Sequence, residues 1–144
     1  MAKTVKTHAA WKGGMRIDVQ ARDHTVIIDQ PQGMGGKDEG ANPMEILLFA
    51  LGGCLGTIAA IIAKQERIDL KSFEVDVEGD FDSNYLLGKT TEGRAGFTAI
   101  RVSVKMDVEG MSDEEKLEFL DRVDKRCPIS DNLMKNTRVL FALQ

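Results

Sequence analysis

Two stretches of the chain alternate between apolar and polar residues, and one long stretch ahead of them does not alternate at all. Residues 71–81 set Phe73, Val75 and Val77 against Glu74, Asp76 and Glu78. That two-residue period predicts a half-buried strand. Residues 97–108 repeat it, with Ile100, Val102, Val104 and Met106 on one face. Nearer the N-terminus, residues 3–11 read as a strand leading into a turn at Gly13-Gly14. Residues 15–20 and 25–28 read as two more strands, joined by a turn at Asp23-His24. Residues 30–41 are rich in glycine and charge and predict a mobile loop. Asn42 is a good helix cap and Pro43 suits a first helical position, so a helix is expected over about 43–67. Ser112-Asp113-Glu114-Glu115 has the spacing of a capping box and predicts a second helix, with Leu117, Leu120 and Val123 as its apolar face. Cys127-Pro128 interrupts that helix and begins a short third one, to about Met134. Residues 82–96 read as a long turn and residues 138–143 as a last strand. With no repeat and no linker, the expectation is one α+β domain over residues 1–144.

The run from 46 to 63, ILLFALGGCLGTIAAIIA, is uncharged and near the short limit of a membrane span. Charges flank it closely, and a helix apolar on every side is equally a central core helix. The core assignment is favoured because no second span accompanies it. So small a chain cannot cover such a helix on all sides, and an intimate homodimer would solve the problem. The first residues lack the apolar centre of a secretory signal, which points to the cytoplasm. The formal net charge of −4, with Lys and Arg scattered, argues against a nucleic-acid partner.

Only two cysteines occur, Cys54 and Cys127, 73 positions apart. In a reducing compartment such a pair is either inert packing or redox chemistry. Cys54 has Ala50, Leu51, Thr57 and Ile58 as helical neighbours, an apolar nest that raises a thiol pKa unless a cation enters; Arg16 or Arg22 are the candidates. Gly52 and Gly53 beside it allow either close packing or room for an apolar ligand. Cys127 precedes a proline and follows Lys125 and Arg126, a setting in which helix N–H groups and positive charge favour a thiolate. Glu45 sits nine residues before Cys54, roughly 180° around an ideal helix from it. It suits a first-turn carboxylate as well as a partner for arginine. His8 and His24 lack ligand spacing, so no metal is expected. Residues 33–36 lack the surroundings of a phosphate loop.

Three features together resemble the OsmC/Ohr superfamily. They are Asn42-Pro43-Met44-Glu45-Ile46-Leu47-Leu48 followed by Gly52-Gly53-Cys54, the turn Arg126-Cys127-Pro128-Ile129-Ser130, and the order of elements. The wording LLFALGGC is most similar to its OsmC-like, YhfA-like branch. The resemblance implies antiparallel sheets around a long buried helix in an intertwined homodimer, with the active sites at the subunit interface. It implies a peroxidase for small organic hydroperoxides that uses no metal or organic cofactor. Cys54 would be the attacking sulfur, Cys127 the resolving one, and a dithiol the reductant, with Arg16 and Glu45 completing the site. Met44 stands where the family has its glutamate, and Arg16 lies one position past its Gly-Gly-Arg pattern. The alternative is a small-molecule-binding or redox-sensing dimer with an incomplete site.

Overall fold

A three-stranded antiparallel meander opens the chain: β1 (His8–Trp11), β2 (Ile17–Ala21) and β3 (His24–Ile28), in spatial order β1-β2-β3. The computed structural model describes all 144 residues, and they divide into two compact units, Met1–Leu47 and Leu48–Gln144. In the first unit the expected strand over residues 3–11 is shorter. Pairing starts at His8 opposite Gln20, because β2 gives out at Ala21 and leaves residues 3–7 no partner. The hairpin turn also falls one residue early. Ala21 and His24 are the last pair, and Arg22 takes the left-handed conformation at φ 55°.

Residues 30–41 are organised by a carboxylate. Asp29 is 2% exposed. Its oxygens accept the backbone N–H groups of Gln30 (2.8 Å), Lys37 (3.1 Å) and Glu39 (3.2 Å). These three bonds gather the segment around one point, with a single 3-10 turn at Gln32–Met34. Gly36 is required in this arrangement, since a Cβ there would fall 1.8 Å from the Gln30 carbonyl oxygen. The glycine-rich composition that suggests mobility therefore serves close backbone approach.

Helix α1 (Pro43–Glu66) begins as its sequence predicts. Asn42 Oδ1 accepts the Glu45 N–H at 2.9 Å, and the Glu45 carboxylate accepts the Asn42 N–H at 2.8 Å. The helix is long and apolar enough to cross a membrane. In the second unit, however, the stripe Leu51, Leu55, Ala59 and Ile62 is at most 4% exposed and forms the core with Phe119, Val123 and Cys127. Other sides of α1 stay open, with Phe49 63% exposed.

Strands β4 (Leu70–Asp80) and β5 (Ala99–Val108) form a long antiparallel hairpin. Phe73, Val75, Val77, Ile100 and Met106 turn toward the core, and Glu74, Asp76 and Glu78 face out, as the alternation requires. Its connection carries one helical turn, α2 (Ser83–Leu86). Helix α3 (Asp113–Arg126) starts at the Ser112–Glu115 capping box. Its buried face is set by Phe119 and Val123, both fully buried, and Leu117 points outward. Two residues at 100° each place Leu117 about 200° from Phe119, so both cannot face inward. Helix α4 (Pro128–Met134) follows at once. The strand expected over 138–143 does not form: β4 and β5 pair only with each other, and nothing offers this segment a ladder. Val139, Leu140, Phe141 and Leu143 are left exposed.

Candidate thiol site

Cys54 reaches the core edge because it follows Leu51 by three residues and precedes Leu55 on the buried stripe of α1. Cys127 is placed by the helix break. As C-cap of α3 and N-cap of α4, it has extended backbone at φ −81° and ψ 111°. Its side chain thus turns inward, and the residue is 1% exposed. The two sulfurs meet at 2.7 Å, and both cysteines are free thiols. A disulfide needs an S–S distance of about 2.05 Å, so little movement separates this contact from a bond. The break at Cys127-Pro128 turns Cys127 toward a thiol 73 positions earlier in the chain.

The surroundings of Cys54 hold its proton on. Burial pushes the Cys54 thiol above its ordinary pKa, and the adjacent Cys127 adds to the rise. The backbone N–H of Ile129 acts the other way. Cys127 Sγ accepts the Ser130 N–H at 3.3 Å, the bond of an N-cap made with sulfur. Lys125 and Arg126, expected to favour a thiolate at Cys127, turn elsewhere. Lys125 donates to Asp121 at 2.6 Å and Arg126 to Gln65 at 3.0 Å.

The two glycines divide between the uses expected of them. A Cβ on Gly52 would lie 3.5 Å from Val77 Cγ2, so Gly52 packs against β4. One on Gly53 would meet nothing within 4 Å, which leaves open space beside the residue preceding Cys54.

The remaining expected residues lie in the first unit. Arg16 is fixed between Asp18 (2.7 Å) and Glu39 (2.8 Å), and these hydrogen bonds raise its pKa further. It borders a cleft of about 560 Å³ with Lys12, Asp18, Asp29, Lys37 and Glu39. Glu39, not Glu45, is thus the distant carboxylate that orients Arg16. Glu45 is occupied with the α1 cap. Arg22 forms the exposed hairpin turn, and His8 and His24 are exposed.

Residues 36–140 match the family model described as OsmC-like protein. The chain belongs to the OsmC-like family. Within and around that family it is 28% identical over 98 residues to a protein of Mycoplasma genitalium named hydroperoxide reductase. That match covers 67% of this chain and 64% of the relative, so the chain spans just under two thirds of that protein. The crystal structure of an OsmC-like protein from Mycoplasma pneumoniae superimposes with a TM-score of 0.81 at 23% identity, over 94% of this chain and 91% of that one. An organic hydroperoxide resistance protein OsmC from Legionella pneumophila gives 0.66 at 17% identity, over 94% and 93%. These structures establish the OsmC fold for the chain: antiparallel sheets with a long helix.

Sequence reasoning placed both cysteines of this OsmC-like protein but missed five residues around its sites. Asp18, Asp29 and Glu39 act in the first unit through contacts of up to 23 positions. Asp124 and Ser130 bracket Cys127 in the second, the latter inside the quoted Cys-Pro motif.

Proposed function

We propose that this protein is a thiol peroxidase for small organic hydroperoxides, acting through Cys54 and Cys127. The observation that carries the reading is the 2.7 Å approach of the two sulfurs. Cys54, partly exposed, is the sulfur a peroxide can reach; Cys127, buried, is placed to resolve. In the first step the Cys54 thiolate attacks the outer peroxide oxygen. The O–O bond breaks, the alkoxide leaves and takes a proton to become an alcohol, and Cys54 becomes a sulfenic acid. Cys127 then attacks that sulfur, a disulfide forms and water leaves. An external dithiol reduces the disulfide by exchange and is itself oxidised to a disulfide.

A raised thiol pKa works against this chemistry, so the site requires a cation. The proposal assigns that role to Arg16 and leaves Glu45 as helix cap. It extends to a homodimer, because a second copy would cover the open sides of α1 and give residues 138–143 a strand to pair with. It places the protein in the cytoplasm, where reduction of the dithiol is sustained.

The test is turnover of cumene hydroperoxide with dithiothreitol as reductant. Wild-type protein consumes the peroxide catalytically and Cys54→Ser does not. Equal consumption by both proteins removes the peroxidase reading. The raised Cys54 pKa favours a second reading, a dimer that binds an apolar small molecule beside Gly53. A ligand seen in native mass spectra of the purified protein, together with that equal consumption, selects it.

A further inference from the structure

Ser130 makes two hydrogen bonds that no helix requires together. Its N–H donates to Cys127 Sγ at 3.3 Å, and its hydroxyl donates to Asp124 Oδ1 at 2.5 Å. Asp124 in turn accepts the Cys127 N–H on its backbone carbonyl at 3.0 Å. Residues on either side of Cys127 are therefore joined across it. Cys127 is the single extended residue between α3 and α4, and its two backbone angles set the direction of α4. Rotation there would carry the sulfur off Cys54 and take the Ile129 and Ser130 N–H groups with it. Pro128 has a fixed φ and no N–H, so it stiffens its own position but cannot tie one helix to the other. The side chains of Asp124 and Ser130 can.

We propose that Asp124 and Ser130 form a positioning clasp that keeps Cys127 Sγ aimed at Cys54 and so favours the disulfide over the dithiol. The proposal rests on the reading of the two cysteines as a redox pair. Neither residue's side chain touches a reacting atom; both act through the backbone at Cys127. The N-cap bond to Cys127 Sγ weakens once that sulfur is bonded to another, since a disulfide sulfur is a poorer acceptor than a thiolate. The clasp does not involve sulfur; in the dithiol, rotation at Cys127 opens it, whereas the disulfide holds Cys127 in the rotation that closes it, and by linkage a closed clasp favours the disulfide. It therefore raises the effective concentration of one thiol at the other.

The experiment is equilibration of the purified protein in buffers of reduced and oxidised dithiothreitol, with the Cys54–Cys127 disulfide quantified by mass spectrometry. Ser130→Ala and Asp124→Ala are each expected to lower the equilibrium constant for the disulfide about fivefold, the weight of one hydrogen bond. The double variant should lose little more, because the two act through one bond. Ser130→Thr keeps the hydroxyl and should restore the wild-type constant. Far-ultraviolet circular dichroism confirms folding, and the exposed Asp124→Asn, which keeps an acceptor, should lie near wild type. Unchanged constants in both alanine variants, or additive losses in the double variant, overturn the clasp. No hydroperoxide is used, so the result is independent of peroxidase turnover. A wild-type protein that forms no disulfide in these buffers overturns the redox-pair reading and the clasp with it.

Discussion

At Cys54 two influences of the protein's own chain oppose each other. Burial and the neighbouring thiol hold the proton on, and one backbone N–H from Ile129 helps release it. The sign fixes what a cation must do. If Arg16 serves this thiol, alkylation by iodoacetamide in wild type should reach its midpoint at a lower pH than in Arg16→Ala. The variant's midpoint should sit above the value of about 8.5 for a free cysteine. Identical pH profiles would assign the cation elsewhere. Asp29 has the opposite sign. Backbone N–H groups, that of Gln30 first, hold its carboxyl below the ordinary range. Its stabilisation is complete above the unfolded value of about 3.9 and is lost as pH falls through the depressed folded value. Asp29→Asn should lower the midpoint of urea unfolding at pH 7. The gap to wild type should narrow below pH 4. A gap independent of pH would mean that the charge does not matter there.

Among the elements, Glu45 allows a clean separation of cap from chemistry. Glu45→Gln keeps an acceptor for the Asn42 N–H and should leave thermal stability close to wild type. Glu45→Ala should lose about 0.5–1 kcal/mol. If Glu45→Gln instead abolishes peroxide turnover at full stability, the carboxylate has a role beyond the cap. The elements that could be read in the sequence are those with local rules. The cap at Asn42, the capping box at Ser112, the alternation at Phe73, Val75 and Val77, and the break at Pro128 each follow a pattern local in the sequence. Asp29 was not legible, because its carboxylate bonds to backbone up to ten positions away and a carboxylate has no pattern for that. Arg16 could be named but not its partner Glu39. The strand over 138–143 was over-read: its apolar residues are suited to a sheet, and the chain itself supplies no neighbour.

The molecule as a whole leaves two apolar regions in water, one around Phe49 on α1 and one in the tail at Phe141, 94% exposed. Exposed aromatic surface on this scale is what a partner covers. Sedimentation of the wild-type protein should give the mass of two chains, and Phe141→Asp should shift it toward one. A wild-type protein that sediments as a single chain at micromolar concentration would remove the homodimer from the account. The peroxidase proposal depends on the thiol pair more than on assembly. Peptide mapping under non-reducing conditions, after one equivalent of cumene hydroperoxide, tests that pair most directly. The account predicts a cross-linked Cys54–Cys127 peptide in wild type, and in Cys127→Ser a sulfenic acid on Cys54 that dimedone traps. Both thiols recovered unmodified would contradict it.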